Sequence, residues 1–151
     1  MPSGRYLLDK EVSEAIAGMF NAVGIQTDLR VWEWGTYTQM QMTKRIQDLG
    51  FLGLADTTQD ADMLLTLYYT PESTYSYYSR PDLAEKIKRA RTTMDEKKRF
   101  ELYKDVQKEI YEEAPLVFLY QQMDHYGVSR KLKDFQARGD EQLVLHRVSK
   151  Q

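Results

Sequence analysis

Residues 81–120, PDLAEKIKRARTTMDEKKRFELYKDVQKEIYEEAPLVFLY, read as helix, helix, strand. Pro81 suits a first helical turn, where its missing N–H would be unpaired in any case. Leu83, Ile87, Ala90 and Met94 recur at helical spacing. Thr93-Met94-Asp95-Glu96 has the form of a capping box, in which hydroxyl and carboxylate each take up a free backbone N–H. On the second helix Leu102, Tyr103, Val106, Ile110 and Ala114 make one apolar stripe. Lys97, Lys98, Glu101, Asp105, Lys108 and Glu112 fall on the other side. Pro115 stops the helix, and Leu116 to Tyr120 is a short apolar run of strand type. These residues predict a helical hairpin feeding a buried strand.

Upstream, Asp9 is a good helix N-cap, with Val12, Ala15, Ile16, Met19 and Val23 as a buried stripe and Gly24 as the left-handed residue that ends it. Ile25, Thr27, Leu29 and Val31 alternate with Gln26, Asp28 and Arg30, the pattern of a strand with one face on a core. Trp32-Glu33-Trp34-Gly35 ends it. Ligands bind outside strand ends in open α/β sheets, so Trp34 is a candidate cleft residue, whereas Trp32 reads as a cap on the core. A weaker helix follows over 37–47, with Tyr37, Met40 and Ile46 inward, and residues 49–54 form a short apolar run that predicts a buried strand. The polar stretch 55–62, ADTTQDAD, has no periodicity; Thr58 or Asp60 is placed to cap a helix over 61–69. The loop TPESTYSYYS, residues 70–79, carries Tyr75, Tyr77 and Tyr78, which either face a cleft or pack under the hairpin.

With 151 residues the chain is long enough for a real core. Its net charge of −2, with the signs interleaved, lacks the basic face that nucleic acid requires. No cysteine is present, which excludes disulfides, cysteine-ligated zinc and thiol catalysis. No apolar run is long enough to span a bilayer, and the first residues lack the apolar core of a signal peptide. His125 and His146 lie far apart with no partner at ligand spacing. There is no nucleophile elbow and no phosphate-cradling glycine motif. The expectation is therefore no enzyme, no cofactor and no metal site.

The same residues carry a resemblance. Pro81, Asp95, Arg99, Leu102, Tyr103, Glu113 and Pro115, preceded by Pro2, Gly4, Arg5, Tyr6, Asp9, Lys10, Glu11, Gly24 and Ile25, match in order and spacing the second lobe of the extracytoplasmic solute-binding proteins of peptide, dipeptide and nickel ABC importers. Asp60 and Asp62 match that family's acidic loop. The chain departs from the pattern at Leu54, where a Trp is usual, at Ala61, where a Pro is usual, and at Arg80 and Ala84.

The resemblance implies an α/β fold, the mixed-sheet lobe of a type II periplasmic-binding-protein-like architecture with helices on a central sheet. It implies a lobe over residues 1–126 and a segment over 127–151 that returns to a first lobe outside this chain. That segment is expected to fold back or to pair with a second copy as a homodimer. The implied activity is capture of a peptide or other small solute without chemistry, followed by docking on a membrane permease. The longer protein would be exported to the periplasm or cell exterior, with or without a lipid anchor. Candidate ligand residues are Trp34, Leu54, Asp56, Thr57, Thr58, Asp60, Tyr75, Tyr77 and Tyr78, with Asp56 the carboxylate for a peptide's amino terminus. The alternative is a free-standing interaction domain using its aromatic surface.

Overall fold

The structure is a computed structural model and describes residues 1–78 and 80–150. Among the described residues there are five helices: α1 (Asp9–Ala22), α2 (Trp34–Met42), α3 (Ala61–Tyr69), α4 (Pro81–Thr92) and α5 (Glu96–Glu113). Four two-residue strands accompany them: β1 (Pro2–Ser3), β2 (Trp32–Glu33), β3 (Leu132–Lys133) and β4 (Ser149–Lys150). Strand β1 pairs parallel with β2, and β3 pairs antiparallel with β4. This mix of helix and short strand is compatible with an α/β class. The chain divides into two compact units, Met1–Leu54 with Thr66–Ala84, and Ala55–Leu65 with Glu85–Gln151.

In the first unit Asp9 does something other than cap. Its carboxylate accepts the backbone N–H groups of Gly4, Arg5 and Tyr6 at 3.3, 2.9 and 3.0 Å, closing the turn before α1. The N-cap position is Leu8, left-handed at φ 55°, with no side-chain cap. Burial works against the Asp9 charge, but the N–H groups of Tyr6, Arg5 and Gly4 outweigh it and lower the pKa. Ser13 Oγ donates to Asp9 O at 2.8 Å on the same buried side. This anchor fixes the rotation of α1. Ser13 is buried and Val12, Ile16, Ala17 and Phe20 are half-buried, while Ala15, Met19 and Val23 of the expected stripe face water. An apolar set spread around the helix offered more than one stripe, and the tie at its start selected between them. Gly24 is left-handed as expected, at φ 86°.

The expected buried strands are where the structure departs most from the pattern. Residues 25–31, 49–54 and 116–120 lie outside any ladder. Ile25, Leu29 and Val31 are exposed, and Val117 and Phe118 are 72% and 61% exposed, so the 116–120 run is not a buried strand here. Period-two patterning specifies which face a strand would bury, but a strand exists only if a neighbour takes its N–H and C=O groups. Among the described residues such neighbours come in pairs of two residues, so no central sheet assembles. Helices satisfy their own backbone, and both helices of the hairpin form over the residues that periodicity marks.

In α4 the buried positions are Leu83, Ile87 and Ala90. Met94 lies beyond the helix end and is 95% exposed, so it does not continue that stripe. Helix α5 buries Tyr103, Val106 and Ile110. Its N-cap is Asp95, whose carboxylate accepts Lys98 N–H at 3.0 Å. Thr93 does not serve as the capping-box hydroxyl; its Oγ1 donates back to Arg89 O at 2.8 Å. Ala114, left-handed at φ 46°, caps the other end before Pro115. Lys86 and Glu109 form an ion pair linking α4 to α5. Towards the C-terminus the Tyr126 and Phe135 rings lie 5.9 Å apart.

Candidate functional site

The candidate residues divide between the two units. Trp34, Leu54, Tyr75, Tyr77 and Tyr78 belong to the first; Asp56, Thr57, Thr58 and Asp60 belong to the second.

The first unit is built around aromatic rings. Tyr6 meets Trp34 edge-on at 5.9 Å and Phe51 at 5.8 Å, and Trp34 stacks on Tyr37 at 6.2 Å. The Arg5 guanidinium lies 5.3 Å from the centres of both the Tyr6 and Trp34 rings, a cation–π arrangement. Trp34 opens α2, where the Glu33 carboxylate caps the helix by accepting Gly35 and Thr36 N–H at 2.9 and 3.2 Å. The Tyr6 and Tyr37 hydroxyls each donate at 2.9 Å to the carbonyls of Gly53 and Phe51. Two side-chain donors thus hold the segment that pattern alone reads as a strand. Gly50 and Gly53 suit it because the rings come so close. A Cβ at Gly50 would lie 3.0 Å from the Tyr37 hydroxyl, and one at Gly53 would lie 3.1 Å from the Tyr6 ring. Leu54 follows, exposed.

The tyrosine loop is held from α2 and α3. Lys44 Nζ donates to the carbonyls of Ser73, at 3.0 Å, and Ser76, and sits 4.9 Å from the Tyr77 ring centre. Tyr77 donates through its hydroxyl to Gln41 O at 3.2 Å while half its surface stays open. Tyr78 meets Tyr69 edge-on at 6.2 Å, and Tyr75 is half-buried. Tyr77 therefore presents an open ring edge, whereas Tyr78 is partly taken up by packing. Gln41 is buried, and its Oε1 has no partner among the described residues.

Burial also sets the acidity of these hydroxyls. Tyr37 is 2% exposed and Tyr69 4% exposed, and each is pushed up to about 12, desolvation being the main cause. In the unfolded chain tyrosine ionises near pH 10. A pKa raised by folding means a stabilisation fully present below pH 10 and lost as pH rises towards 12. Each tyrosine should cost about 1.4 kcal/mol of stability per pH unit across that window. Urea unfolding at stepped alkaline pH checks this: Tyr37→Phe should show a shallower decline than the native chain, and an equal slope would rule out Tyr37 as a source.

In the second unit the loop before α3 is tied both to itself and to the hairpin. Asp56 Oδ1 accepts from Thr58 N and Oγ1 at 3.1 and 2.8 Å. Thr57 Oγ1 lies 3.6 Å from Met63 Sδ. Asp60 Oδ1 accepts Asp62 N–H at 2.9 Å, capping α3, and also accepts Arg99 Nη2 at 2.7 Å. Asp62 accepts Arg91 Nε at 2.9 and 3.0 Å and the Tyr103 hydroxyl at 3.1 Å. Among the described residues Asp60 and Asp62 are each paired with an arginine, whereas Asp56 holds only uncharged groups. Sequence reasoning left Arg5, Tyr6, Lys44, Arg91, Arg99 and Tyr103 out of the candidate set. Arg99 and Tyr103 stand four residues apart and so share a helix face, which was the signal available.

No family model matches the chain. It is similar to the dipeptide-binding protein of Escherichia coli (strain K12), at 25% identity over 130 residues, 83% of this chain. The chain spans about a quarter, 24%, of that protein's length. No helix among the described residues is long and apolar enough to cross a membrane.

Proposed function

We propose that the chain is the second lobe of a non-catalytic solute-binding protein that captures peptides or related small solutes for an ABC importer. The observation that carries this reading is the loop 55–60, where among the described residues Asp56 holds only uncharged groups while Asp60 and Asp62 are each paired with an arginine. A peptide's amino terminus is the cation that suits the Asp56 carboxylate. Within the second unit, Thr57, Thr58 and Asp60 would frame that carboxylate. Trp34, Leu54, Tyr75, Tyr77 and Tyr78 are proposed separately, as the ligand-facing residues of the first unit. The similarity to a dipeptide-binding protein favours a peptide over other solutes.

The first lobe and the export signal belong, on this reading, to a longer protein that works outside the cytoplasm, with or without a lipid anchor, and delivers its ligand to a membrane permease. Residues 1–126 form the lobe and residues 127–151 lead back to the first. Hinge closure between lobes would then enclose the solute. In the absence of the first lobe, residues 127–151 would fold back along their own lobe or pair with a second copy, fold-back being preferred because it needs no partner concentration.

One lobe leaves half the ligand in water, and good sites bury most of the ligand surface. The chain alone should therefore bind alanyl-alanine with a Kd on the order of millimolar or weaker, well short of the micromolar affinity of a closed site. Titrating the isotope-labelled chain should shift the amides of residues 55–58. N-acetylated alanyl-alanine, which lacks the ammonium, should leave them in place, as should Asp56→Asn with the free peptide. Equal responses to both peptides would remove Asp56 from the role.

A second reading draws on the exposed run Leu116 to Tyr120 with Met123. It makes the chain a free-standing interaction domain, with an extended apolar segment open to strand pairing by a protein partner. The two separate on the peptide titration, which only the first reading expects to respond.

A further inference from the structure

A polar loop without periodicity needs something to set its shape. The ties of loop 55–60 to itself are Asp56 to Thr58 and a long contact of 3.4 Å from Thr58 Oγ1 to Asp60 O. Gln59 is left-handed at φ 54°, a conformation unfavourable for a non-glycine residue that persists only where the surroundings impose it. Its neighbour Asp60 is tied to α3 and to α5. Capping α3 requires only the Asp60 carboxylate and the Asp62 N–H. The structure adds a closed circuit: Asp60 to Arg99, the Arg99 guanidinium 5.2 Å from the Tyr103 ring centre, Tyr103 hydroxyl to Asp62, and Asp62 N–H back to Asp60. Arg91 of α4 closes on Asp62 from a second helix. The two α5 residues stand at i and i+4, and the two carboxylates they reach stand at i and i+2. The Arg99 and Asp60 side chains are 31% and 34% exposed, so the pair is partly shielded from solvent. Arginine suits this place, since its planar group can lie over a ring while donating at its edge.

We propose that Arg99 and Tyr103, assisted by Arg91, are positioning residues that hold loop 55–60 in the shape that presents Asp56. They act through Asp60 and Asp62 and touch no ligand themselves. The inference rests on the reading that this loop meets the ligand, and it extends that reading by placing control of the binding loop in the helical hairpin.

The test is backbone amide exchange on the full chain. Arg99→Ala should raise exchange of residues 55–59 about tenfold, as the loss of a charged hydrogen bond implies, while amides in the middle of α5 keep their rates. Arg99→Lys should recover part of the protection, and Tyr103→Phe, which keeps the packing and removes the hydroxyl, should give a smaller rise confined to the same loop. If Arg99→Ala does not fold, Tyr103→Phe and Asp60→Asn decide the matter. Unchanged loop exchange in the folded variants, or an equal rise along α5, overturns the proposal. Alanyl-alanine titration of the native chain separates the two ideas. A loop that loosens in Arg99→Ala but ignores the dipeptide upholds the clamp and removes the ligand reading. A loop that answers the dipeptide but exchanges alike in all variants does the reverse.

Discussion

Tyr37→Ala should lower the unfolding free energy of the first unit by about 3–5 kcal/mol, the range for removing a large buried ring. Tyr37 is 2% exposed, stacks on Trp34 at 6.2 Å, and donates to Phe51 O at 2.9 Å. Its loss leaves a cavity under Trp34 and an unpaired carbonyl in a segment with no ladder of its own. Tyr37→Phe separates the two contributions: it keeps the ring and deletes the bond, and should cost about 1 kcal/mol. Urea unfolding followed by tryptophan fluorescence reads both, since Trp34 is the ring in contact. Native domains hold only about 5–15 kcal/mol in all, so the alanine variant should also show raised amide exchange through residues 50–53. A Tyr37→Ala midpoint within error of the native chain would mean that the aromatic cluster is not the core of this unit.

The hairpin gives the second large effect. Ile87→Ala should cost about 2–5 kcal/mol, and Ile87→Val about 0.5–1.5 kcal/mol. Ile87 is 1% exposed, one helical turn before the fully buried Ala90, on the helix that Lys86 links to Glu109 of α5. Tyr103, Val106 and Ile110 are the buried residues of the opposite helix. Met94→Ala is the internal control. Met94 follows the same spacing in the sequence but is 95% exposed, and its removal should stay within about 0.5 kcal/mol. Thermal unfolding by circular dichroism ranks the three. If Met94→Ala cost as much as Ile87→Ala, the end of α4 would have to be placed further along the chain.

The hairpin was legible because every signal for it is local. Proline at the start, apolar residues three and four apart and a stopping proline act within a few residues of one another, and a helix closes its own hydrogen bonds. The cap illustrates the limit of that reading. The pattern marks Thr93 as the capping hydroxyl, but in the structure Asp95 accepts Lys98 N–H while Thr93 turns back to Arg89. The same holds for Asp9, a sound cap by type that instead gathers three N–H groups of the turn before it.

The candidate site was legible in part for the same reason. The loop 55–62 could be marked as polar, acidic and unpatterned, and Asp56 could be named within it. That Asp60 is bound by Arg99 could not be read, because the two are separated by 39 residues in sequence. The likeness of the three carboxylates in sequence hides the fact that, among the described residues, two are paired with arginines and Asp56 holds only uncharged groups.

The sequence by itself determined that five helices form among the described residues, with bounds within about five residues, since those follow from propensity and period. Only the tertiary structure decided which stripe of α1 faces inward, which acid caps and which pairs, and whether the alternating runs become strands. A helix is satisfied by its own chain, whereas a strand, an ion pair and a buried face each need a partner that local sequence does not contain.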